Sequence, residues 1–516
     1  MIGEFAQNDP SVTTKNENRS PELVRAGLNK LRTPPPRLFT EQNRASPYGM
    51  EKMTQNKNTI KALDRMFNAR AIAVVGASNN PTKFGYATVK TIVDGGYDGK
   101  LYPINRRADQ VQGLRAFPSV SDVPGELDLA IIIVPAPFCA DVLRQSAAQG
   151  AKAALVLSAG FRESGFPELE DELASVAQAC GIRVLGPNIQ GLTYMPNKLC
   201  AMFWPVVRNT GSMAIISQSG SVTAALIEWA DGEGLGIAAA VNLGNKMDIS
   251  ETDLLEYFGQ DEHTRAIALY LEGVKDGRRF VDTVKRVAQS KPIAVLKSGR
   301  SATGQRSVAS HTGALAGNDG VFTGLCRQFG LVRTDELESL FDAAKALSAM
   351  RRPRGKRLLV ISTSGGGNTL AVDEAEKHGL VMPPLPPAFV EKLNTIGLPL
   401  NAGIANPLDL ASLEVEHFLQ AASMADECDV ADTVLISFGD PVVGSTEAVK
   451  RAASTISASL AVTYFGGGEL EKVSSVEIQA AGVPVFSTPE RASRGIAAAV
   501  WDAEYRRSRG GDVCLK

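Results

Sequence analysis

At 516 residues, with 44% hydrophobic and 21% charged residues and a formal net charge of −2, the chain has the composition of a multi-domain globular protein. The balanced charge and an aromatic content of 6% argue against a nucleic-acid partner, and the absence of an apolar run of about 18 residues argues against a membrane span. The six cysteines (Cys139, Cys180, Cys200, Cys326, Cys428 and Cys514) show no metal-ligand spacing, and no secretory signal opens the chain, so a cytoplasmic protein with reduced thiols and no metal site is expected.

Residues 1–56 are rich in Asn, Pro, Ser, Thr and charge, and read as a disordered arm. From there the pattern alternates strand and helix. In the first unit, 57–207, apolar runs at Ala71–Val75, Leu101–Asn105, Leu129–Val134, Ala153–Leu157 and Arg183–Leu185 each end in a polar or glycine-rich tip, the pattern of a parallel doubly wound sheet that binds its ligand at the strand carboxyl ends. The first tip, GASNNPTKFG, lacks the second glycine of G-x-G-x-x-G, which disfavours a nicotinamide dinucleotide. A nucleotide-like pyrophosphate still fits, with backbone amides at Gly76, Ala77, Ser78 and Asn79 facing it. Lys83, Arg106 and Arg107 either supply positive charge there or form a solvated rim. Asn188 closes the last tip, GPN.

The second unit, 208–350, repeats the pattern with strands at Met213–Ile216, Ile237–Leu243, Ala266–Leu271 and Ile293–Leu296. Ser217-Gln-Ser-Gly220 opens a helix with free amides for an anion. The stretch SVASHTGALAGNDG, Ser307 to Gly320, reads as a glycine-punctuated loop before a helix starting near Gly317 to Val321. It sets His311 among small residues, where the backbone at Thr312 and Gly313 can approach a phosphate. A histidine in such a loop is either a surface residue or a nucleophile. Of the four histidines only His311 has small residues on both sides, and Glu272, at the tip of the Ala266–Leu271 strand, is placed to bond its far ring nitrogen. The basic run Arg351–Arg357 reads as a solvated boundary. The third unit, 356–510, has strands at Leu358–Ser362, Thr433–Phe438, Leu460–Phe465 and Pro484–Phe486 and a final helix at Arg491–Arg507. Its loop Thr363–Gly367 lacks the Lys-Ser/Thr of a P-loop.

The ordered series GASNNPTKFG, YPIN, VPAP, SAGFRESG, GPNIQG, SQSG, GNKMD, YLEGV, SHTGALAG, NPLDL and TPERA, over about residues 60 to 507, resembles the nucleoside-diphosphate-forming acyl-CoA synthetases, relatives of succinyl-CoA synthetase. The resemblance implies an α/β chain: a Rossmann-like CoA-binding domain followed by two flavodoxin-like domains. It implies that His311 is transiently phosphorylated, that Glu272 orients it, and that Ser219, Gly220 and Ser221 open the helix that holds the phosphate. It matches Gly76, Ala77, Ser78, Asn79, Lys83, Asn105, Val134, Pro135, Ser158, Ala159 and Gly160 to the CoA-binding turns. Two departures stand out: Ile189 where many relatives have Cys, and TSGGGN at 363–368 where NAGGPG is usual. The expected reaction joins a small carboxylic acid to CoA with ATP, releasing ADP and phosphate, through an acyl phosphate and phosphohistidine. ATP and Mg2+ are expected on a separate ATP-grasp β subunit in a hetero-oligomer, with α2β2 as one arrangement. The rival expectation is a non-catalytic CoA-binding regulatory subunit of the same fold. A serine hydrolase is disfavoured by the lack of a G-x-S-x-G elbow.

Overall fold

Most of the apolar runs become strands buried along their length, and covering of both sheet faces explains why they do not alternate polar with apolar. The computed structural model describes residues 59–312, 317–363 and 365–510, and the side chains of 309–312 lie outside that description, as does the arm expected over 1–56.

The first sheet contains β1 (Ala71–Val75), β2 (Lys100–Ile104), β3 (Leu129–Ile132), β4 (Ala153–Val156) and β5 (Arg183–Leu185), all parallel in the order β2-β1-β3-β4-β5. The helices α1 (Phe84–Asp94), α2 (Cys139–Ala148) and α3 (Pro167–Cys180) connect them. Ile72 and Val74 of β1 enter one core cluster and Ala73 and Val75 the other, so each face has its own core. Strand order reverses between β1 and β3, which opens a crevice at their carboxyl ends.

The second sheet is mixed rather than purely parallel. It contains β6 (Gly191–Tyr194), β7 (Leu199–Met202), β8 (Thr210–Ser217), β9 (Ile237–Asn242), β10 (Ala266–Leu271), β11 (Ile293–Lys297) and β12 (Leu331–Thr334), ordered β12-β11-β10-β8-β9-β6-β7. The hairpin β6–β7 pairs antiparallel to β9, so these residues, which precede the boundary expected at 207/208, join the second sheet. Both hairpin strands are buried throughout, and without alternation the sequence carries no hairpin signal. The helices are α4 (Gly220–Gly232), α5 (Glu251–Gln260), α6 (Gly277–Ser290), α7 (Ala302–Thr312), α8 (Asp319–Phe329) and α9 (Leu337–Ala349). Helix α7 corrects the loop expected from Ser307: the backbone is helical through Thr312, because Ala302, Gln305, Arg306 and Ala309 favour helix and one glycine, Gly304, costs only about 1 kcal/mol. Helix α8 starts where expected, capped by the Asn318 carboxamide, which accepts from Val321 N–H at 3.1 Å.

The third sheet is parallel: β13 (Leu358–Ser362), β14 (Leu408–Asp409), β15 (Thr433–Phe438), β16 (Ser459–Tyr464) and β17 (Val485–Phe486), ordered β14-β13-β15-β16-β17. Its helices are α10 (Gly365–Lys377), α11 (Pro387–Leu393), α12 (Val415–Glu427), α13 (Ser445–Thr455), α14 (Glu469–Ala480) and α15 (Pro489–Ser508). Helix α15 packs on both α9 and α10 and so ties the third sheet to the second. Arg491 on α15 grips the buried Asp342 of α9 with two bonds, at 2.7 and 2.8 Å. The fully buried Lys345 reaches Glu233 and the Val485 carbonyl, each at 2.7 Å.

The basic run is a strap rather than a free boundary. Arg357 pairs with Asp429 and Asp432, and Arg351 donates to the Ile456 carbonyl at 2.6 Å. Gly367 serves packing, since a Cβ there would lie 2.4 Å from the Phe465 ring, and Gly365–Gly367 open helix α10. Among the described residues no helix is long and apolar enough to cross a membrane.

Candidate active site

The carboxyl ends of the first sheet gather the residues expected to hold CoA. Gly76 follows β1 with φ +96°, and a Cβ there would lie 2.3 Å from the Ile133 carbonyl oxygen. Gly85 in α1 sits against it: its Cβ would come within 2.0 Å of the Gly76 oxygen. This is the close helix–strand approach that G-x-G-x-x-G turns make with their own glycines. Asn105, after β2, donates to the Ala77 carbonyl at 2.8 Å and accepts from Arg107 and Ala108 N–H. Asn79 is held by Gln110 and Gln112, and the Ser78 hydroxyl accepts from Asn80 N–H. Lys83 stands at the N-cap of α1 and is exposed, as are Arg106 and Arg107. On the β3 and β4 tips the Ser158 hydroxyl donates to the Val134 carbonyl at 2.5 Å, and Asn188 N–H bonds the Ser158 carbonyl at 2.9 Å. Pro135 and Ala159 are exposed beside them, and Gly160 N–H donates to Glu163 at 2.7 Å. Burial alone would raise the Glu163 carboxyl; bonds from Asn245 and from the Phe161 and Gly160 amides outweigh it and hold the group below its usual range. A concave, glycine-cleared tip with a helix N-terminus and exposed cations is what a nucleotide diphosphate needs.

The carboxyl ends of the second sheet gather the expected phosphate site. Ser219 is the N-cap of α4, with its hydroxyl 3.4 Å from Val222 N–H and 3.1 Å from the Ser221 hydroxyl. The Ser217 side chain pins the turn by accepting from Ser219 N–H at 3.1 Å and donating to its carbonyl at 2.9 Å. Gly220 lets Gln190 approach, since a Cβ there would lie 3.0 Å from the Gln190 amide carbon. Glu272 follows β10 and is 6% exposed. Its backbone is clamped by Gln218: the carboxamide oxygen accepts from Glu272 and Gly273 N–H, the latter at 2.9 Å, and the amide nitrogen donates to the Gly273 carbonyl at 3.0 Å. That carbonyl also accepts from Lys246, at 2.7 Å, whose ammonium pairs with buried Glu251 at 2.9 Å. His311 lies on the last turn of α7, but its side chain, that of Thr312 and all of Gly313 fall outside the described residues.

The two edges meet. Asn245 N–H bonds the Pro187 carbonyl at 3.0 Å and Met247 N–H the Gly186 carbonyl at 3.0 Å. The Asn188 and Asn245 side chains touch at 3.3 Å, and Asn245 also donates to Glu163 and Glu170 at 2.5 and 2.8 Å. Ile189, 3% exposed, fills the core beneath this joint against Gly186 and Gly244. Sequence reasoning missed Gln190, Gln218, Asn245 and Lys246. The signal was present, because Gln218, Asn245 and Lys246 lie in SQSG and GNKMD, polar tips directly after buried strands.

Comparison with known proteins fits this geometry. A model of the succinyl-CoA ligase-like flavodoxin domain matches residues 210–347 and a CoA-binding domain model matches 70–195. The acetate–CoA ligase [ADP-forming] I subunit alpha of Pyrococcus furiosus is 36% identical over 86% of this chain and 99% of its own length. The acetate–CoA ligase [ADP-forming] of Methanocaldococcus jannaschii is 38% identical over 66% of this chain but only 48% of its own length. A solved dinucleotide-forming acetyl-coenzyme A synthetase 1 from Ca. Korarchaeum cryptofilum, in complex with phosphate and ADP, superposes with TM-score 0.80 at 35% identity, covering 88% of this chain and 99% of that one. With both sheet edges and a full-length relative in agreement, the chain belongs to the family of ADP-forming acid–CoA ligase alpha subunits.

Proposed function

We propose that this subunit forms acyl-CoA by passing a phosphoryl group through His311, with Glu272 orienting the imidazole and the Ser219, Gly220 and Ser221 turn holding the phosphate. In the thioester-cleaving direction, phosphate attacks the acyl carbonyl and expels the CoA thiolate. The imidazole nitrogen of His311 then takes the phosphoryl group from the acyl phosphate and releases the carboxylate; finally a nucleoside diphosphate takes the phosphoryl group from the histidine. Each step transfers a group already in hand, which divides one hard displacement into easier ones. The N-terminus of α4 favours the dianion by about 1 kcal/mol. Gly76, Ser78, Lys83, Asn105, Arg106 and Ser158 hold CoA on the adjoining edge. The nucleotide and Mg2+ bind an ATP-grasp β subunit. The two acetate–CoA ligase alpha subunits of Pyrococcus furiosus are matched over 99% of their length, whereas the acetate–CoA ligase of Methanocaldococcus jannaschii is matched over 48% of its own. Cytoplasmic location is part of the same reading.

The single observation that carries the proposal is the Gln218 clamp, which joins the phosphate turn to the Glu272 backbone through one buried side chain. The test is incorporation of radiolabelled phosphate from acyl-CoA, phosphate and magnesium. Acid-labile label in the wild type, absent in His311→Ala and much slowed in Glu272→Gln, is the expected result. Equal labelling of His311→Ala would refute it.

A further inference from the structure

A cavity of about 900 Å³ lies away from the strand tips proposed to form the ligase site. It is bordered by residues just ahead of their strands, Arg265 before β10, Pro292 before β11 and Ala458 before β16. It therefore sits at the amino ends of the second and third sheets, about 20 Å from Glu272 along the six-residue strand β10. Six guanidinium groups line it: Arg265, Arg351, Arg352, Arg354, Arg506 and Arg507. Asp502 is the one carboxylate among its lining residues, and its Oδ2 is taken by Arg506 Nε at 2.8 Å.

Arg351 and Arg507 are held by carbonyl oxygens without being neutralised, whereas Arg506 is paired with Asp502 and Arg354 lies 4.0 and 3.9 Å from Asp426 and Asp429. Arg351 donates to the Ile456 carbonyl, Arg507 to the Pro353 carbonyl at 3.0 Å, and Arg506 Nη1 to the Gln289 carbonyl at 2.8 Å. Carbonyl oxygens satisfy N–H groups but leave the positive charge in place. Arg506 is only 5% exposed, and its Nη2 has no hydrogen-bond partner among the described residues. That nitrogen is enclosed by the protein, so the charge open to a ligand in the cavity is that of the exposed Arg351 and Arg507. The other wall is apolar, with Leu347, Met350, Leu460 and Val483. A cavity of this size, charged on one side and apolar on the other, suits a drug-sized anion with a flat or greasy body.

We propose that this cavity is a second ligand site, separate from the ligase site, that binds a nucleoside polyphosphate with its phosphates against the arginines and its base against the apolar wall. The test is equilibrium dialysis of ADP against the full chain, comparing wild type with Arg351→Gln/Arg507→Gln and with Ala481→Trp, which adds bulk at an exposed lining position without removing charge. Loss of one bound equivalent of ADP in both variants, or at least about a tenfold weakening of that equivalent, is expected. Unchanged circular dichroism and CoA binding would show that both variants are folded. Identical ADP binding by wild type and variants would overturn the proposal. Inorganic tripolyphosphate binding there as tightly as ADP would overturn the nucleotide assignment, since the apolar wall would then contribute nothing.

Discussion

Replacing Gln218 by Met tests whether the phosphate turn and the Glu272 tip work as one unit. Methionine keeps the length and volume of the side chain but loses three hydrogen bonds: two accepted from Glu272 and Gly273 N–H and one donated to the Gly273 carbonyl. That carbonyl keeps Lys246 as a donor at 2.7 Å, whereas the two N–H groups are left without an acceptor in a site where Gln218 is 7% and Glu272 6% exposed. At about 1–3 kcal/mol for each orphaned buried group, the variant loses about 2–6 kcal/mol of unfolding free energy. Part of that loss is relieved if the tip shifts, and a shift near 1 Å lowers phosphoryl transfer about a hundredfold. Urea unfolding and single-turnover labelling of His311 read the two effects separately. A lowered urea midpoint with wild-type labelling would show that Gln218 braces the fold without positioning Glu272, and wild-type values in both would refute the clamp.

Lys246→Met leaves buried Glu251 uncompensated and is expected to cost about 3–5 kcal/mol in urea unfolding, with Lys246→Met/Glu251→Leu recovering most of it. Gly85→Ala drives a Cβ into the Gly76 carbonyl and should weaken CoA binding in calorimetry. Gly324→Ala, in open space within α8, should instead stabilise the chain by up to about 1 kcal/mol. Burial alone would raise the Asp253 carboxyl, but the Arg279 guanidinium, at 2.6 Å, and the Ser250 N–H and hydroxyl hold it below its usual range. Its folded pKa is thus lower than its unfolded value of about 3.9, so its contribution is complete well above pH 4 and disappears as pH falls through the folded value. Asp253→Asn should therefore be less stable than wild type at pH 7 and converge with it in strong acid, as read by urea midpoints across pH.

Alternation of strand and helix was legible because the strands of doubly wound sheets are buried on both faces, so Ala71–Val75, Ala266–Leu271 and Thr433–Phe438 appear as unbroken apolar runs. The same property hid the hairpin at 191–202: both strands are buried throughout, and pairing direction leaves no trace in composition. Helix α7 was hidden because small residues suit loop and helix alike, so Ser307 to Thr312 reads as a phosphate loop until the backbone around it is fixed. In the site, chemistry-bearing residues such as Ser219 and Glu272 were visible at strand ends, but the residues that hold them were not. Gln218 acts across 54 residues of sequence on Glu272, and Asn245 acts across 82 on Glu163. An amide at a strand tip announces a polar environment without naming its partner, and only the folding of two sheets edge to edge makes it a clamp. On the proposed reading that edge-to-edge joint is also how one chain serves both halves of the reaction: the turn at 186–188 lies on the edge proposed to hold CoA, the turn at 244–247 on the edge proposed to hold phosphate, and the bonds between them fix the two edges against each other.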